Sequence, residues 1–208
     1  FKQKTAYEIY QCDWSSDVCS SDLMKKTKKW VAFFSQTGSE IVNLSKSLRI
    51  KPDLIVTNNY GDKTPWAIGL SALRCPILMA PHDHIMDYFS IINNPYSTTN
   101  TVITLHGYLR IVEPQVCEAY DMYNGHPGLI DIYPELKGKD PQVRAYAGKY
   151  PKVGSVIHKV TAGVDEGPII HAESEENTAG NIDEMYSILR RTSLKSWKNT
   201  LKDLLTCE

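Results

Sequence analysis

From residue 30 onward, short apolar runs alternate with stretches in which apolar positions recur every three or four residues. Apolar runs bounded by turn residues predict buried strands, and the 3.6-residue recurrence predicts amphipathic helices. Strands are therefore expected over 30–34, 54–56, 76–80 and 102–105. A helix is expected over 39–48, with Ser39 as its cap and Ile41, Leu44 and Leu48 on one face. Shorter helices are expected over 66–73 and 83–92, just after Pro114, and over 142–147. Met122 and Tyr123 lead into Asn124-Gly125-His126-Pro127, and 127–152, rich in Pro, Gly and Lys, reads as a long loop around the 142–147 helix. Strands over 155–160 and 169–173 flank the turn Gly163-Val164-Asp165-Glu166-Gly167. The tail, 182–205, is expected to be one helix that buries Met185, Ile188, Leu189, Trp197, Leu201 and Leu204.

This alternation implies an α/β fold: an open, mostly parallel twisted sheet with helices on both faces, Rossmann-like in layout, and antiparallel strands near the C-terminal half. The first 23 residues break the rhythm. They carry no sustained period, cluster Ser, Asp and Cys, and lack the apolar stretch of a secretory signal. Residues 1–23 are therefore expected to be a non-native extension, disordered or loosely structured. Met24 is then the natural start, and 24–208 form a single catalytic domain.

Composition narrows the partners. With 42% hydrophobic and 23% charged residues the chain is ordinary globular material, and a net charge of −1 does not suit wrapping a polyanion. Setting the extension aside leaves 21 basic and 20 acidic residues, which does not change that. No nucleic-acid partner is expected, and no membrane, because no apolar run approaches the roughly 20 residues a membrane helix needs. Outside the extension only Cys75, Cys117 and Cys207 remain, scattered and without a CxxC pair, so neither a disulfide framework nor a zinc site is expected. A reduced, cytoplasmic protein without a metal follows.

Three segments fall where an open α/β sheet builds a site, outside the carboxyl ends of its strands. Asn124 and His126, two residues apart beyond a strand, can face one crevice. The amide offers a donor to a developing oxyanion, and the imidazole a proton near neutral pH. The same spacing also describes a turn asparagine beside a structural histidine. Asp165 lies in a Gly/Pro turn, where aspartate is commonly just a turn former, but beside His126 its carboxylate could orient the ring or relay a proton. A dry crevice would raise its pKa. Gly107 to Val112 is an apolar run broken by Arg110, read either as a helix entry or as a wall for a flat ring.

Together these segments resemble the folate-dependent formyltransferase family, which carries an Asn-x-His-Pro motif and a later Asp-x-Gly-Pro motif. Here they stand as Asn124-Gly125-His126-Pro127 and Asp165-Glu166-Gly167-Pro168. Gly107 to Val112 is similar to the family's folate wall, and Gly154 to His158 to the strand before its aspartate. The likeness is dense from about 102 to 170. It implies a formyltransferase fold and transfer of a formyl group from 10-formyltetrahydrofolate, as co-substrate, to a primary amine. Glycinamide ribonucleotide, in purine biosynthesis, is the acceptor expected.

The resemblance implies catalytic roles for Asn124, His126 and Asp165. Leu109, Arg110, Ile111 and Val112 would hold the folate, with backbone at Thr161, Ala162, Gly163 and Val164 along the pterin edge. Gly38, Ser39, Glu40 and Arg190 would meet a phosphorylated amine substrate. His158 and His106 would stand behind the site, His106 being equally readable as a satisfied core histidine. The protein is expected to be a monomer or weak homodimer. His82-Asp83-His84 is not expected to bind a metal, because residues i and i+2 diverge on a helix. Lys137-Gly138-Lys139-Asp140 reads as a solvated loop.

Two departures bear on the acceptor. The family's phosphate turn usually continues with asparagine where Glu40 stands, and its C-terminal helix carries an acid where this chain has Ser193, just after Arg190 and Arg191. The acceptor therefore stays open between glycinamide ribonucleotide and another amine, such as a sugar nucleotide or methionyl-tRNA. A formyltetrahydrofolate hydrolase and a non-catalytic folate or nucleotide binder are the further alternatives.

Overall fold

The computed structural model describes residues 8–9, 26–91, 95–96 and 98–206. One eight-stranded sheet runs through it in the order β1-β4-β3-β2-β5-β6-β7-β8. The strands are β1 (Glu8–Ile9), β2 (Lys29–Phe34), β3 (Leu54–Thr57), β4 (Ile77–Met79), β5 (Thr101–Leu105), β6 (Asp121–His126), β7 (Lys152–Lys159) and β8 (Ile169–Glu176). β4, β3, β2, β5 and β6 are parallel, whereas β7 and β8 return antiparallel. The helices are α1 (Ser39–Leu48), α2 (His82–Ser90), α3 (Pro114–Ala119), α4 (Pro141–Ala147) and α5 (Ile182–Leu205).

The central strands are buried on both faces, which is why they read as continuous apolar runs rather than alternating ones. Successive side chains still point to opposite faces. In β2, Trp30, Ala32 and Phe34 join Ile41, Leu44, Trp197 and Leu201 of α1 and α5. Val31 and Phe33 turn the other way, onto Ile85, Met86 and Phe89 of α2 and Val116 of α3. This places helices on both faces, as expected.

Several boundaries differ from the expectation. Between 66 and 73 only a turn of 3₁₀ helix forms, at Ser71–Leu73, because Gly69 sits at φ 99 and interrupts the run. Ser39 is not a cap: Gly38 holds that position at φ 70, and the Ser39 N–H donates to Thr37 Oγ1 at 3.2 Å. Leu204 is only half-buried, and Leu205 takes the buried position instead. The helix expected over 83–92 ends at Ser90, and residue 92 lies outside the described residues.

Of residues 1–23, Glu8–Ile9 pairs antiparallel with Leu78 and Met79 of β4, and the others lie outside the described residues. Cys75 and Cys117 are buried and unbridged, whereas Cys12, Cys19 and Cys207 lie outside the described residues. No described helix is long and apolar enough to cross a membrane.

Candidate active site

The strand order reverses between β2 and β5: β3 and β4 lie on one side of β2, and β5 and β6 on the other. A crevice opens outside the carboxyl ends of strands at such a point. Here the turns leaving β2 and β5 are tied together by Ser35 N–H to Gly107 O at 3.2 Å and Leu109 N–H to Ser35 Oγ at 3.0 Å. A cavity of about 1040 Å³ lies there. Every residue assigned to the site from the sequence lines it, from Gly38, Ser39 and Glu40 through Leu109–Val112 and Thr161–Asp165 to Arg190.

Asn124 and His126 stand in the last pleat of β6, inside the strand rather than beyond it. Positions i and i+2 of a strand share a face, so both side chains reach the same side. Between them a side chain is forbidden: a Cβ on Gly125 would meet Trp197 Nε1 at 2.5 Å. Across the antiparallel pairing Asn124 stands opposite His158, and its Nδ2 lies 3.1 Å from His158 Nε2.

Asp165 arrives from the turn between β7 and β8. That turn folds back tightly, since a Cβ on Gly167 would overlap Lys159 O at 1.8 Å. Asp165 itself adopts φ 54, a left-handed conformation that aspartate tolerates better than most residues. So held, one carboxylate oxygen lies 3.2 Å from His126 Nδ1 and also accepts the Gly138 N–H at 2.9 Å. The other lies 3.3 Å from His158 Nε2 and accepts from Asn124 Nδ2 at 3.5 Å. Amide, imidazole and carboxylate thus converge at one cleft.

The remaining nitrogen of His126, Nε2, lies 2.9 Å from Leu136 O. Both nitrogens of this ring therefore face oxygen acceptors, and both contacts are satisfied as hydrogen bonds when each nitrogen carries a proton. Burial pushes the Asp165 carboxyl upward, but hydrogen bonds from His126, His158 and Gly138, with the charge of His126, outweigh it. They hold the group well below the usual carboxylate range. The expectation of a raised pKa is corrected accordingly: a dry crevice raises a carboxyl only where donors do not meet it.

The loop over 135–138 contributes what side-chain reasoning missed. Leu136 O and Gly138 N–H are backbone groups, and no residue type announces them. Arg144, one turn into α4, fixes this loop by donating to the carbonyls of Glu135 (2.6 Å), Leu136 (3.1 Å) and Lys137 (2.7 Å). Lys139 and Asp140 are solvated as expected, yet Gly138, between Lys137 and Lys139, turns inward at φ 81. A glycine inside a basic, proline-flanked loop was the available signal.

At the other end of the cavity Glu40 bonds His106 and Ser193, while Arg190 stands exposed. The rim is apolar: Leu109, Ile111 and Val164 are 64%, 70% and 53% exposed. His82 Nδ1 lies 2.9 Å from Tyr108 Oη.

Residues 91–192 match the formyl transferase family model. A curated relative, phosphoribosylglycinamide formyltransferase of Bacillus subtilis, is 28% identical over 110 residues, covering 50% of this chain and 53% of that protein. The match thus spans about half the length of the curated relative. Solved phosphoribosylglycinamide formyltransferases share the fold. That of Anaplasma phagocytophilum superposes with TM-score 0.72 at 18% identity, covering 85% of this chain and 86% of that one. That of Campylobacter jejuni gives 0.72 at 17%, covering 85% and 97%. A glycinamide ribonucleotide transformylase of Geobacillus kaustophilus gives 0.69 at 22%, covering 86% and 99%. Over residues 91–192 this chain thus resembles the formyl transferase family, and its fold is the one that the solved phosphoribosylglycinamide formyltransferases carry.

Proposed function

We propose that the protein transfers the formyl group of 10-formyltetrahydrofolate to a primary amine, with glycinamide ribonucleotide the acceptor that its relatives' names favour. The observation that carries this reading is the convergence of Asn124, His126 and Asp165 within hydrogen-bonding distance at the mouth of one cavity. The exposed apolar rim of Leu109, Ile111 and Val164 suits a flat, partly apolar ring, with Arg110 and Val112 beside it and the backbone of Thr161 to Val164 along its edge.

A formamide is a weak electrophile, and amine attack places negative charge on the formyl oxygen. Fixed donors at that oxygen lower the barrier, and losing one costs about 10² to 10³ in rate. Asn124 Nδ2 and a His126 N–H, exchanging a protein acceptor for the formyl oxygen when the folate binds, are the donors. Asp165, held ionised, orients the His126 ring; it is too weak a base to store the amine's proton. The attacking nitrogen loses one proton and the departing folate nitrogen gains one. His126 gives a proton to the departing folate nitrogen and takes up the one that the attacking nitrogen releases, with Asp165 orienting the ring, so the exchange balances. His158 supports the far carboxylate oxygen. The protein acts in the cytoplasm on small molecules, as a monomer or weak homodimer.

The test supplies 10-formyltetrahydrofolate with and without glycinamide ribonucleotide and follows the folate product. Turnover that needs the amine supports this reading. Equal turnover without it means a hydrolase, and folate binding without turnover means a binding protein; either outcome overturns the proposal.

A further inference from the structure

The backbone from His106 to Glu113 belongs to no helix or strand, so no ladder of hydrogen bonds fixes where its side chains stand. Exposed Leu109 and Ile111 hang there between two buried side chains, Tyr108 and Val112. Both anchors lie in the core that α2 forms with the sheet through Ile85, Met86 and Phe89. The Tyr108 ring meets Phe33 edge-on at 5.3 Å. Its hydroxyl lies 2.9 Å from Nδ1 of His82, the first residue of α2. Tyr108 lines the cavity, whereas His82 does not.

A phenylalanine would fill the same apolar space, so packing alone does not account for the hydroxyl at 108. Once buried, a phenol needs a polar partner. Burial pushes the Tyr108 hydroxyl up, so it keeps its proton. It donates that proton to Nδ1 when the His82 ring carries its own on Nε2. Apolar burial is non-directional, whereas a hydrogen bond fixes an orientation. The contact therefore ties the direction of the Tyr108 side chain, and with it the backbone that carries Leu109, to the start of α2.

We propose that His82, acting through Tyr108, is a positioning residue for the apolar rim: it sets where Leu109 and Ile111 meet the flat ring, and so governs folate affinity without touching the folate. This rests on the reading of the protein as a folate-dependent formyltransferase and adds a residue outside the cavity to it.

The experiment measures kcat, the KM of each substrate and calorimetric binding of 10-formyltetrahydrofolate without acceptor. It compares the wild type with Tyr108→Phe, His82→Leu, His82→Asn and the double variant Tyr108→Phe/His82→Leu. Thermal unfolding checks that each is folded at the assay temperature. Tyr108→Phe and His82→Leu should each weaken folate binding about 3- to 10-fold, the net worth of one hydrogen bond. Their kcat and acceptor KM should stay within about twofold of the wild type. The double variant should bind folate no more weakly than either single one, because both substitutions remove the same contact. His82→Asn, whose amide oxygen offers an acceptor in place of Nδ1, should recover most of the affinity. Additive losses in the double variant overturn the proposal, as does an affinity in His82→Asn no better than in His82→Leu. So does an acceptor KM that rises in step with that of folate, since the substitutions would then loosen the whole cavity. A wild type that binds no folate removes the formyltransferase reading as well. Folate binding that neither single variant changes removes this inference alone.

Discussion

Gly125 and Trp197 stand in such close register that the indole occupies the space a Cβ at 125 would need. Such a Cβ would lie 2.5 Å from the indole Nε1, closer than side-chain contacts allow. Because Gly125 separates Asn124 from His126, the packing of α5 on β6 sets where both side chains point. Gly125→Ala should destabilise the fold by about 1–3 kcal/mol, as overpacking does, and should lower kcat more than folate affinity. Thermal unfolding and steady-state kinetics read the two effects. Unchanged kcat would show that Trp197 yields without moving β6.

His126→Ala should reduce kcat by at least about 10²-fold while folate affinity changes little, because the interaction lost is made mainly in the transition state. Single-turnover rates at saturating folate measure it. Rates like the wild type's would take His126 out of the chemistry.

Arg144→Ala removes three hydrogen bonds to the carbonyls of 135–137, one of them on the oxygen that also faces His126. The expected result is a kcat lowered by about tenfold with the KM for folate within about twofold, and partial recovery in Arg144→Lys. A change confined to KM would assign the loop to binding instead of to His126.

Asp165 gives a pH dependence with a definite sign. Its folded pKa is depressed below the unfolded value of about 3.9, so the stability it adds is fully present above that value. That contribution is lost as pH falls through the folded pKa. Denaturant unfolding of the wild type and Asp165→Asn should therefore show a constant gap from about pH 5 to 7 that narrows below about pH 4. A gap that widens toward acid would mean that the carboxyl is raised instead.

Deleting residues 1–23 removes a two-residue edge strand paired only to β4, on the far side of the sheet from β6. We expect the midpoint of thermal unfolding and kcat to stay within about 3 °C and twofold of the full chain. A collapse of either would make this segment part of the domain.

The apolar runs and the 3.6-residue recurrence were enough for the α/β class, for α1 and α5 at their observed bounds, and for a mostly parallel sheet. Burial on two faces leaves a direct mark on residue type. That Asn124, His126 and Asp165 share one cleft was legible too, because the Gly and Pro residues around them mark the turns that deliver them. What the sequence could not determine was whatever depends on groups without a side-chain signature or on partners distant along the chain. The carbonyl of Leu136 and the N–H of Gly138 belong to the backbone common to all residues. The Asp165 carboxyl is low rather than high because donors from β6, β7 and the 138 loop meet at it. Glu40 looked misplaced beside a helix start until folding set it between His106 and Ser193, a residue 153 positions away. Periodicity reports how each residue meets the core, whereas only the closed tertiary structure decides which polar atoms meet one another.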